Sequence, residues 1–151
     1  ARLKVQLMPL KFIDHDSQEY AQMIQLRDSI LRKPLGLYFD PEELTREKDD
    51  VLIGAFEDDN KLIGCCLLTR TGNHTCRLRQ MAVSSNLQKK GIGASLMTFA
   101  ENVARDRGYE TLTMHARKSA VGFYQKFGYT IASDEFFEVT IPHYVMEKKL
   151  R

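Results

Sequence analysis

The chain has 151 residues, of which 43% are hydrophobic and 28% charged, a composition that excludes both a disordered polar chain and a membrane-spanning one. Its 22 basic and 20 acidic residues are spread through the sequence with a net charge of +2, so no basic arm or stripe indicates a nucleic-acid partner. Because no signal-peptide pattern opens the chain and no apolar run approaches the roughly 20 residues that a bilayer requires, we expect one cytoplasmic domain, residues 1–151, without a membrane partner.

The N-terminal part of the chain predicts a strand followed by a helix. Residues 3–13 are rich in Val, Leu, Ile and Phe, and Pro9 within them favours a strand at a sheet edge. Asp16 followed three residues later by Glu19 resembles a capping box, and apolar residues at helical spacing follow it. We expect this first helix to end before Pro34.

A second helix and three strands are predicted next. Asp40 as cap, Pro41 at the first helical position and Glu43 in the first turn indicate a short helix. Hydrophobic runs separated by turn residues then predict a three-stranded meander. These strands cover residues 51–56, 62–69 and 75–83.

The remaining chain predicts a crossover unit and a closing strand pair. A helix from Gly91 has one apolar face and ends at Gly108, and residues 111–116 form the next strand, which makes the strands flanking this helix parallel. A short helix at 118–127 and strands at 129–139 and 144–150 complete the chain. The predicted class is α+β, a mixed sheet with helices on both faces.

The segment NLQKKGIGASL, residues 86–96, has the features of a phosphate-binding loop that leads into a helix. Gly91 and Gly93 let backbone N–H groups approach an anion at the positive end of the helix dipole, and Lys89 and Lys90 add charge. A P-loop requires Gly-Lys-Ser/Thr, which is absent, and a Rossmann fingerprint requires Gly or Ala at position 96, where Leu stands. The pattern Gln/Arg-x-x-Gly-x-Gly/Ala is met from Gln88.

Two motifs in order resemble the GNAT superfamily of acyl-CoA-dependent N-acyltransferases. RLRQMAVSSNLQKKGIGASLM looks like the family's motif A, and ARKSAVGFYQKFGY looks like its motif B. The resemblance covers nearly the whole chain and extends to a bacterial branch that includes the ElaA-like proteins. It implies α/β/α layers, a mostly antiparallel sheet of six to seven strands that is splayed between the fourth and fifth strands, and about four helices.

The resemblance implies a binding site for acetyl-CoA as cosubstrate. The pyrophosphate would lie on the main chain of residues 88–94, and the pantetheine arm between residues 80–83 and 111–116, where it would satisfy unpaired strand groups by strand addition. The implied cofactor-binding residues are Met81, Ala82, Val83, Gln88, Lys89, Lys90, Gly91, Ile92, Gly93, Ala94, Phe123 and Tyr124.

Acyl transfer to an amine requires a neutral amine, an oxyanion donor and a proton for the departing thiolate. The resemblance implies that the backbone N–H near Val83 is the oxyanion donor and that Tyr124 is the general acid; a phenol with a reference pKa of about 10 is protonated at neutral pH. No carboxylate lies in residues 77–80, so the base stays open: His115, which ends a strand beside the expected gap, Glu138 or His143, or a water relay or a substrate amine of lowered pKa.

The acceptor pocket of this fold usually lies between the first two helices and the final strands. We expect residues from these regions to line it, namely Arg27, Arg32, Tyr38, Phe137, Glu138 and His143. Three functions remain open: an N-acetyltransferase of a small-molecule primary amine, a protein lysine or N-terminal acetyltransferase, and a non-catalytic acyl-CoA sensor. The expectation of a homodimer also stays open.

The cysteines and histidines show no spacing typical of a metal site, such as CxxC or HExxH, so we expect no metal. Cys65, Cys66 and Cys76 lie in predicted strands, and their odd number favours buried, reduced thiols.

Overall fold

The computed structural model describes residues 9–87 and 91–151. Its strands are β1 (Leu10–Phe12), β2 (Val51–Phe56), β3 (Leu62–Arg70), β4 (Thr75–Val83), β5 (Thr111–Arg117), β6 (Thr130–Ile131), β7 (Phe136–Glu138) and β8 (Ile141–Lys149). Its α-helices are α1 (Gln18–Arg27), α2 (Pro41–Arg46), α3 (Ile92–Asp106) and α4 (Val121–Gln125). Within the described residues, no helix is both long and apolar enough to cross a membrane.

One mixed sheet organises the described residues. Its strand order is β1-β2-β3-β4-β5-β8-β6, with β7 paired to β8, and β4 and β5 are the parallel pair of an otherwise antiparallel set. The predicted α+β class, the meander and the parallel crossover around α3 are confirmed. The sheet has eight strands instead of the expected six to seven.

Helices cover both faces of the sheet, as predicted, because β2 and β3 are apolar on both sides. On one face, Ile53 and Cys66 belong to the core that packs against α3; on the other, Leu52 and Cys65 belong to the core that packs against α1. Gly64 lets α3 approach β3 closely, since a Cβ there would lie only 2.8 Å from Cγ2 of Ile92.

The helix α1 ends at Arg27, before Pro34 as predicted, but its N-terminal cap differs from the prediction. Its N-cap is Ser17, whose side chain accepts from the N–H of Tyr20, instead of Asp16. After α1 the chain continues through a π-helical segment, Asp28–Arg32, and a 3₁₀ turn, Lys33–Leu35, so Pro34 lies inside the helical region. The cap predicted at Asp40 is confirmed, and Glu43 completes it as a capping box.

A buried ion pair fixes α1 to the 3₁₀ turn that follows α2. The guanidinium of Arg27 donates from Nη1 and Nη2 to the two carboxylate oxygens of Glu47, at 2.8 and 2.7 Å, and the hydroxyl of Tyr20 donates to Glu47 at 2.7 Å. Burial opposes ionisation of both partners, but the paired hydrogen bonds outweigh it and hold the pKa of Glu47 below, and that of Arg27 above, its ordinary value. The segment between these partners is thereby held over the sheet.

The predicted strand at 129–139 is divided into two strands, and the second of them forms a hairpin with β8. Residues 129–139 contain the separate strands β6 and β7, and β7 pairs with β8 from Phe136↔His143 to Glu138↔Ile141. Val139 and Thr140 form the two-residue turn, with φ of 47° and 67°. The predicted N-terminal edge strand is represented by β1, which pairs with β2; residues 1–8 lie outside the described residues.

Candidate active site

A gap opens between β4 and β5. Their pairing runs from Thr75↔Thr111 to Leu78↔Met114 and extends no further in the described chain, although β4 continues to Val83 and β5 to Arg117. The cause is a bulge in β4. Cys65 pairs with Ala82 and Leu67 with Arg79, so β4 has two residues opposite Cys66, and one of them, Gln80, has a φ of 56°. A bulge bends its strand and increases the local twist, which turns the end of β4 away from β5.

The diverging ends of β4 and β5 form one wall of a cavity of about 520 Å³. Its other walls come from the segment that follows α1, from α2, from α4 and from the β7–β8 hairpin. The lining residues include Leu31, Arg32, Leu37, Glu43, Arg77, Leu78, Arg79, Gln80, Met81, Met114, His115, Ala116, Arg117, Ala120, Tyr124, Glu138, Val139 and His143. The expected acceptor region, between the first helices and the final strands, and the strand gap thus form one continuous space.

The first turn of α3 provides an open main-chain surface beside α4. Gly91 is the N-cap, with a φ of 83°, and a Cβ added there would have no heavy atom within 4 Å. N–H groups in a first helical turn have no intrahelical partner, so this geometry suits an anion. The partly exposed Phe123 lies close by, since a Cβ at Gly93 would be 3.5 Å from its ring. Gln88, Lys89 and Lys90, also predicted here, lie outside the described residues.

These features fit the pyrophosphate and pantetheine that the sequence implies. An open glycine N-cap can accept a phosphate, and the diverging ends of β4 and β5 leave room for an extended, amide-containing arm. Of the predicted cofactor residues, Met81 lines the cavity, whereas the side chains of Ala82 and Ile92 are buried and leave only their main chains for a ligand.

Tyr124 lies in the wall of the cavity with its ring packed edge-on against Phe123 and Tyr129. Burial, with a smaller contribution from Cys66, raises the pKa of Tyr124 to about 12. The phenol therefore keeps its proton across the physiological pH range and is available as a donor, which is the state that a general acid requires.

A cluster of titratable side chains faces the same cavity from four strands. Nδ1 of His115, on β5, lies 2.9 Å from Oε2 of Glu138, on β7, and 2.9 Å from Nη2 of Arg77, on β4. His143, on β8, is buried and stacks on Phe136, with its Nδ1 2.7 Å from the carbonyl oxygen of Ile141. Burial opposes the charged form of Glu138, but the hydrogen bond from His115, with the electrostatic interactions with His115, His143 and Arg77, holds the pKa of Glu138 below its ordinary value.

One nitrogen of His115 cannot satisfy both neighbours. When Nδ1 carries a proton it donates to Glu138, and Arg77 then has no lone pair to donate to at that atom. A carboxylate is a stronger acceptor than a neutral imidazole nitrogen, so we assign the Nδ1–H tautomer. This assignment leaves the lone pair of Nε2 available to accept a proton.

The structure separates the predicted acceptor residues into two groups. Arg32, Glu138 and His143 line the cavity. The prediction for Arg27 is wrong, because its side chain is fully buried in the ion pair with Glu47. Tyr38 and Phe137 are largely exposed, at 85% and 69%, and neither belongs to the cavity lining described above.

Sequence reasoning missed three arginines of the cavity. Arg77 and Arg79 are two residues apart on β4, and so are His115 and Arg117 on β5. Side chains at every second position of a strand point to the same face, so the members of each pair share one side of the sheet. The letters RLR and HAR in the two strands that border the gap carried this signal.

The three cysteines lie in the sheet interior. Cys65 and Cys66 on β3 and Cys76 on β4 are buried and free, and burial raises the pKa of each thiol. A thiol in this state is a poor nucleophile.

Comparison with known proteins gives one family. The model of the acetyltransferase (GNAT) domain matches residues 16–150. The uncharacterized protein YyaT of Bacillus subtilis is 35% identical over 81 residues, which are 54% of this chain and 55% of YyaT. The chain thus spans about half the length of the curated relatives that it matches.

Solved structures share the fold at low identity. ElaA of Escherichia coli superimposes with a TM-score of 0.81 at 18% identity, over 94% of this chain and 99% of ElaA. An aminoglycoside 6'-N-acetyltransferase complexed with coenzyme A gives a TM-score of 0.80 at 18% identity, over 95% of this chain and 98% of the enzyme.

Proposed function

This chain belongs to the GNAT acetyltransferase family, and we propose that it transfers an acetyl group from acetyl-CoA to a primary amine of a small molecule by direct attack in a ternary complex. One observation supports this proposal above the others. A single cavity joins the gap between β4 and β5, the phenol of Tyr124 and the pair formed by His115 and Glu138.

The acetyl donor would enter from the α3 side of this cavity. Its pyrophosphate would lie at the first turn of α3 beside Phe123, and its pantetheine arm would follow the diverging end of β4 toward Tyr124. The main chain of Val83 as oxyanion donor stays a prediction, as do the contacts of residues 88–90.

The acceptor amine would enter from the other side, where His115 and Glu138 lie. In the Nδ1–H tautomer, Nε2 of His115 accepts a proton from the attacking amine while Glu138 stabilises the resulting imidazolium. The amine nitrogen forms a bond to the thioester carbonyl carbon, the carbon–sulfur bond breaks, and the departing thiolate takes the proton of Tyr124. The products are an N-acetyl amide and CoA.

The walls of the cavity favour a small acceptor over a protein. The segment that follows α1 contributes Leu31, Arg32 and Leu37 to one side, and the β7–β8 turn contributes Val139 to the other. The lining also contains more arginines than carboxylates, whereas a groove that attracts lysine-bearing peptides would be acidic.

The test uses the purified protein, acetyl-CoA, and separate panels of small amines and of lysine-bearing or free N-terminal peptides. Mass spectrometry of the products should show acetylation in the small-amine panel and none in the peptide panel. Acetylation of peptides alone would support the protein acetyltransferase alternative. Tight binding of acetyl-CoA without any acetylated product would support the acyl-CoA sensor.

A further inference from the structure

Four arginines line the cavity, and two of them are already paired with carboxylates. Nη2 of Arg32 lies 3.6 Å from Glu43, and Nη1 of Arg79 lies 3.9 Å from Asp50. Arg77 and Arg117 have no carboxylate within 4 Å among residues 9–87 and 91–151. The acceptor side of the cavity therefore has two guanidiniums whose charge no neighbouring carboxylate pairs with.

Arg77 also has a hydrogen-bond donor without an acceptor among the described residues. Its Nε is buried and has no partner among the described residues, and its Nη2 faces the Nδ1 atom of His115, which is assigned a proton that it donates to Glu138. Burial, together with the neighbouring charge of Arg79, lowers the pKa of Arg77 and Glu138 offsets only part of this effect. Arg77 is half-buried, and a buried N–H group without an acceptor is unfavourable unless a ligand supplies one.

The two arginines lie on the same side of the sheet as His115. Arg77 is opposite Thr113 in the β4–β5 register, and Thr113, His115 and Arg117 follow one another at every second position of β5. Along the strand direction, His115 thus lies between the positions of Arg77 and Arg117, and all three line the cavity together with Glu138. The site offers positive charge on both sides of one carboxylate-bound imidazole.

We propose that the acceptor is an amine that also carries an oxyanion group, a carboxylate or a phosphate, and that Arg77 and Arg117 bind this group while His115 and Glu138 face the amine. This inference rests on the proposed function, because it names the substrate class of the same site. Guanidinium forks match carboxylate and phosphate oxygens in geometry as well as in charge, which an ammonium does not.

The test compares amines that differ only in the oxyanion. Suitable pairs are phenylalanine with phenethylamine, alanine with ethylamine, and phosphoethanolamine with ethanolamine. For the wild type we expect kcat/KM to be about tenfold or more higher for the oxyanion-bearing member of at least one pair, which is the effect of one charge-assisted contact. Preference within the amino-acid pairs indicates a carboxylate, and preference within the last pair indicates a phosphate.

Two variants and a matched control test whether Arg77 and Arg117 cause the preference for the oxyanion-bearing amine. Arg77→Gln and Arg117→Gln should each bring the ratio within the preferred pair toward one, mainly through KM. Arg107→Gln removes an exposed arginine at the far end of α3 and should leave the ratio unchanged. Arg117 is only partly buried and bonded to no described side chain, so its variant remains informative if Arg77→Gln does not fold.

Failure of this inference can be distinguished from failure of the proposed function. Equal reaction of both members of every pair, or an unchanged ratio in both variants, overturns the inference while acetyl transfer stands. If no amine reacts, the same pairs are titrated into CoA-saturated protein by calorimetry, and the dissociation constants of the two members of each pair test the inference. Tighter binding of the oxyanion-bearing member would support the inference, and equal or undetectable binding would overturn it.

Discussion

Nδ1 of His115 lies 2.9 Å from Oε2 of Glu138, and the pair joins β5 to the hairpin strand β7 across the wall of the cavity. A carboxylate that holds one imidazole nitrogen fixes the orientation of the ring and leaves the other nitrogen to accept a proton. In the proposed mechanism this pair supplies the base from β5, since the stretch 77–80 of β4 contains no carboxylate.

Replacing His115 tests this role. His115→Gln should lower kcat about 10²- to 10⁴-fold, the usual contribution of a general base, with little change in the dissociation constant for CoA. His74→Gln is the matched control, because His74 is exposed on a loop before β4 and should keep wild-type kinetics. Steady-state kinetics and CoA titration measure both quantities. If His115→Gln kept the wild-type kcat, His115 would not be the base, and the proton of the attacking amine would pass to water or be lost from an amine of lowered pKa.

Two glycines with similar backbone conformation separate cofactor binding from helix stability. Gly91 and Gly108 have φ of 83° and 88° at opposite ends of α3, and a Cβ at either would meet no atom within 4 Å. Alanine at either position should lower the free energy of unfolding by about 1 kcal/mol, because an L-residue is strained at positive φ. Only Gly91→Ala should weaken CoA binding. Equal CoA affinity in the two variants would exclude Gly91 from the phosphate site.

The buried ion pair of Arg27 and Glu47 should dominate the acid sensitivity of the fold. Glu47→Gln leaves the guanidinium of Arg27 buried without a counter-charge and should lower the free energy of unfolding by about 3 to 5 kcal/mol at neutral pH. Denaturant titrations of wild type and variant at several pH values measure the difference.

The sign of the pH dependence follows from the lowered pKa of Glu47. A carboxyl whose pKa is lower in the folded state stabilises the fold above its unfolded pKa of about 4.3, and this stabilisation is lost as the pH falls through the folded value. The difference between wild type and Glu47→Gln should therefore shrink only below about pH 4. A difference that is constant from neutral to acid pH would be inconsistent with a charged pair.

The turn between β7 and β8 is strained by its residue types. Both central positions have positive φ, the conformation of a type I′ turn, yet they are Val139 and Thr140 instead of Asn and Gly. Asn–Gly at these positions should raise the free energy of unfolding by about 1 to 2 kcal/mol. Thermal unfolding measures the stability of the variant with both Val139→Asn and Thr140→Gly, and kcat shows whether the site is affected. A double variant less stable than the wild type would contradict the assignment of strain to this turn.

Most of the framework was predictable because its signals are periodic or local. The apolar face of α3, the hydrophobic runs of β2 and β3 and the cap at Asp40 each predicted the observed element. The hairpin was missed because Val139 and Thr140 carry no turn signal, and the bulge was missed because Gln80 adopts a positive φ without being glycine. Both are backbone conformations that these residue types rarely adopt, and Gln80 and Val139 line the cavity.

The site was predictable in part. Motif spacing pointed to Gly91, Gly93, Phe123 and Tyr124, and in the structure Gly93 lies beside Phe123 while Tyr124 lines the cavity. Arg27 was misplaced because helical spacing does not say whether an arginine meets a buried carboxylate, and Glu47 lies in a turn 20 residues away. The link between His115 and Glu138 depends on the unpredicted hairpin.

In the proposed reaction, Tyr124 is the acid that protonates the thiolate departing from acetyl-CoA. The most direct test is release of CoA thiol from acetyl-CoA in the presence of a reactive amine, by the wild type and by Tyr124→Phe. We predict amine-dependent release, a kcat about 10²-fold or more lower in the variant, and an unchanged dissociation constant for acetyl-CoA. Because burial raises the pKa of Tyr124 to about 12, ionisation of this phenol should not reduce wild-type kcat below about pH 10. Wild-type kcat in Tyr124→Phe, or no binding of acetyl-CoA at millimolar concentration, would contradict the proposed reaction.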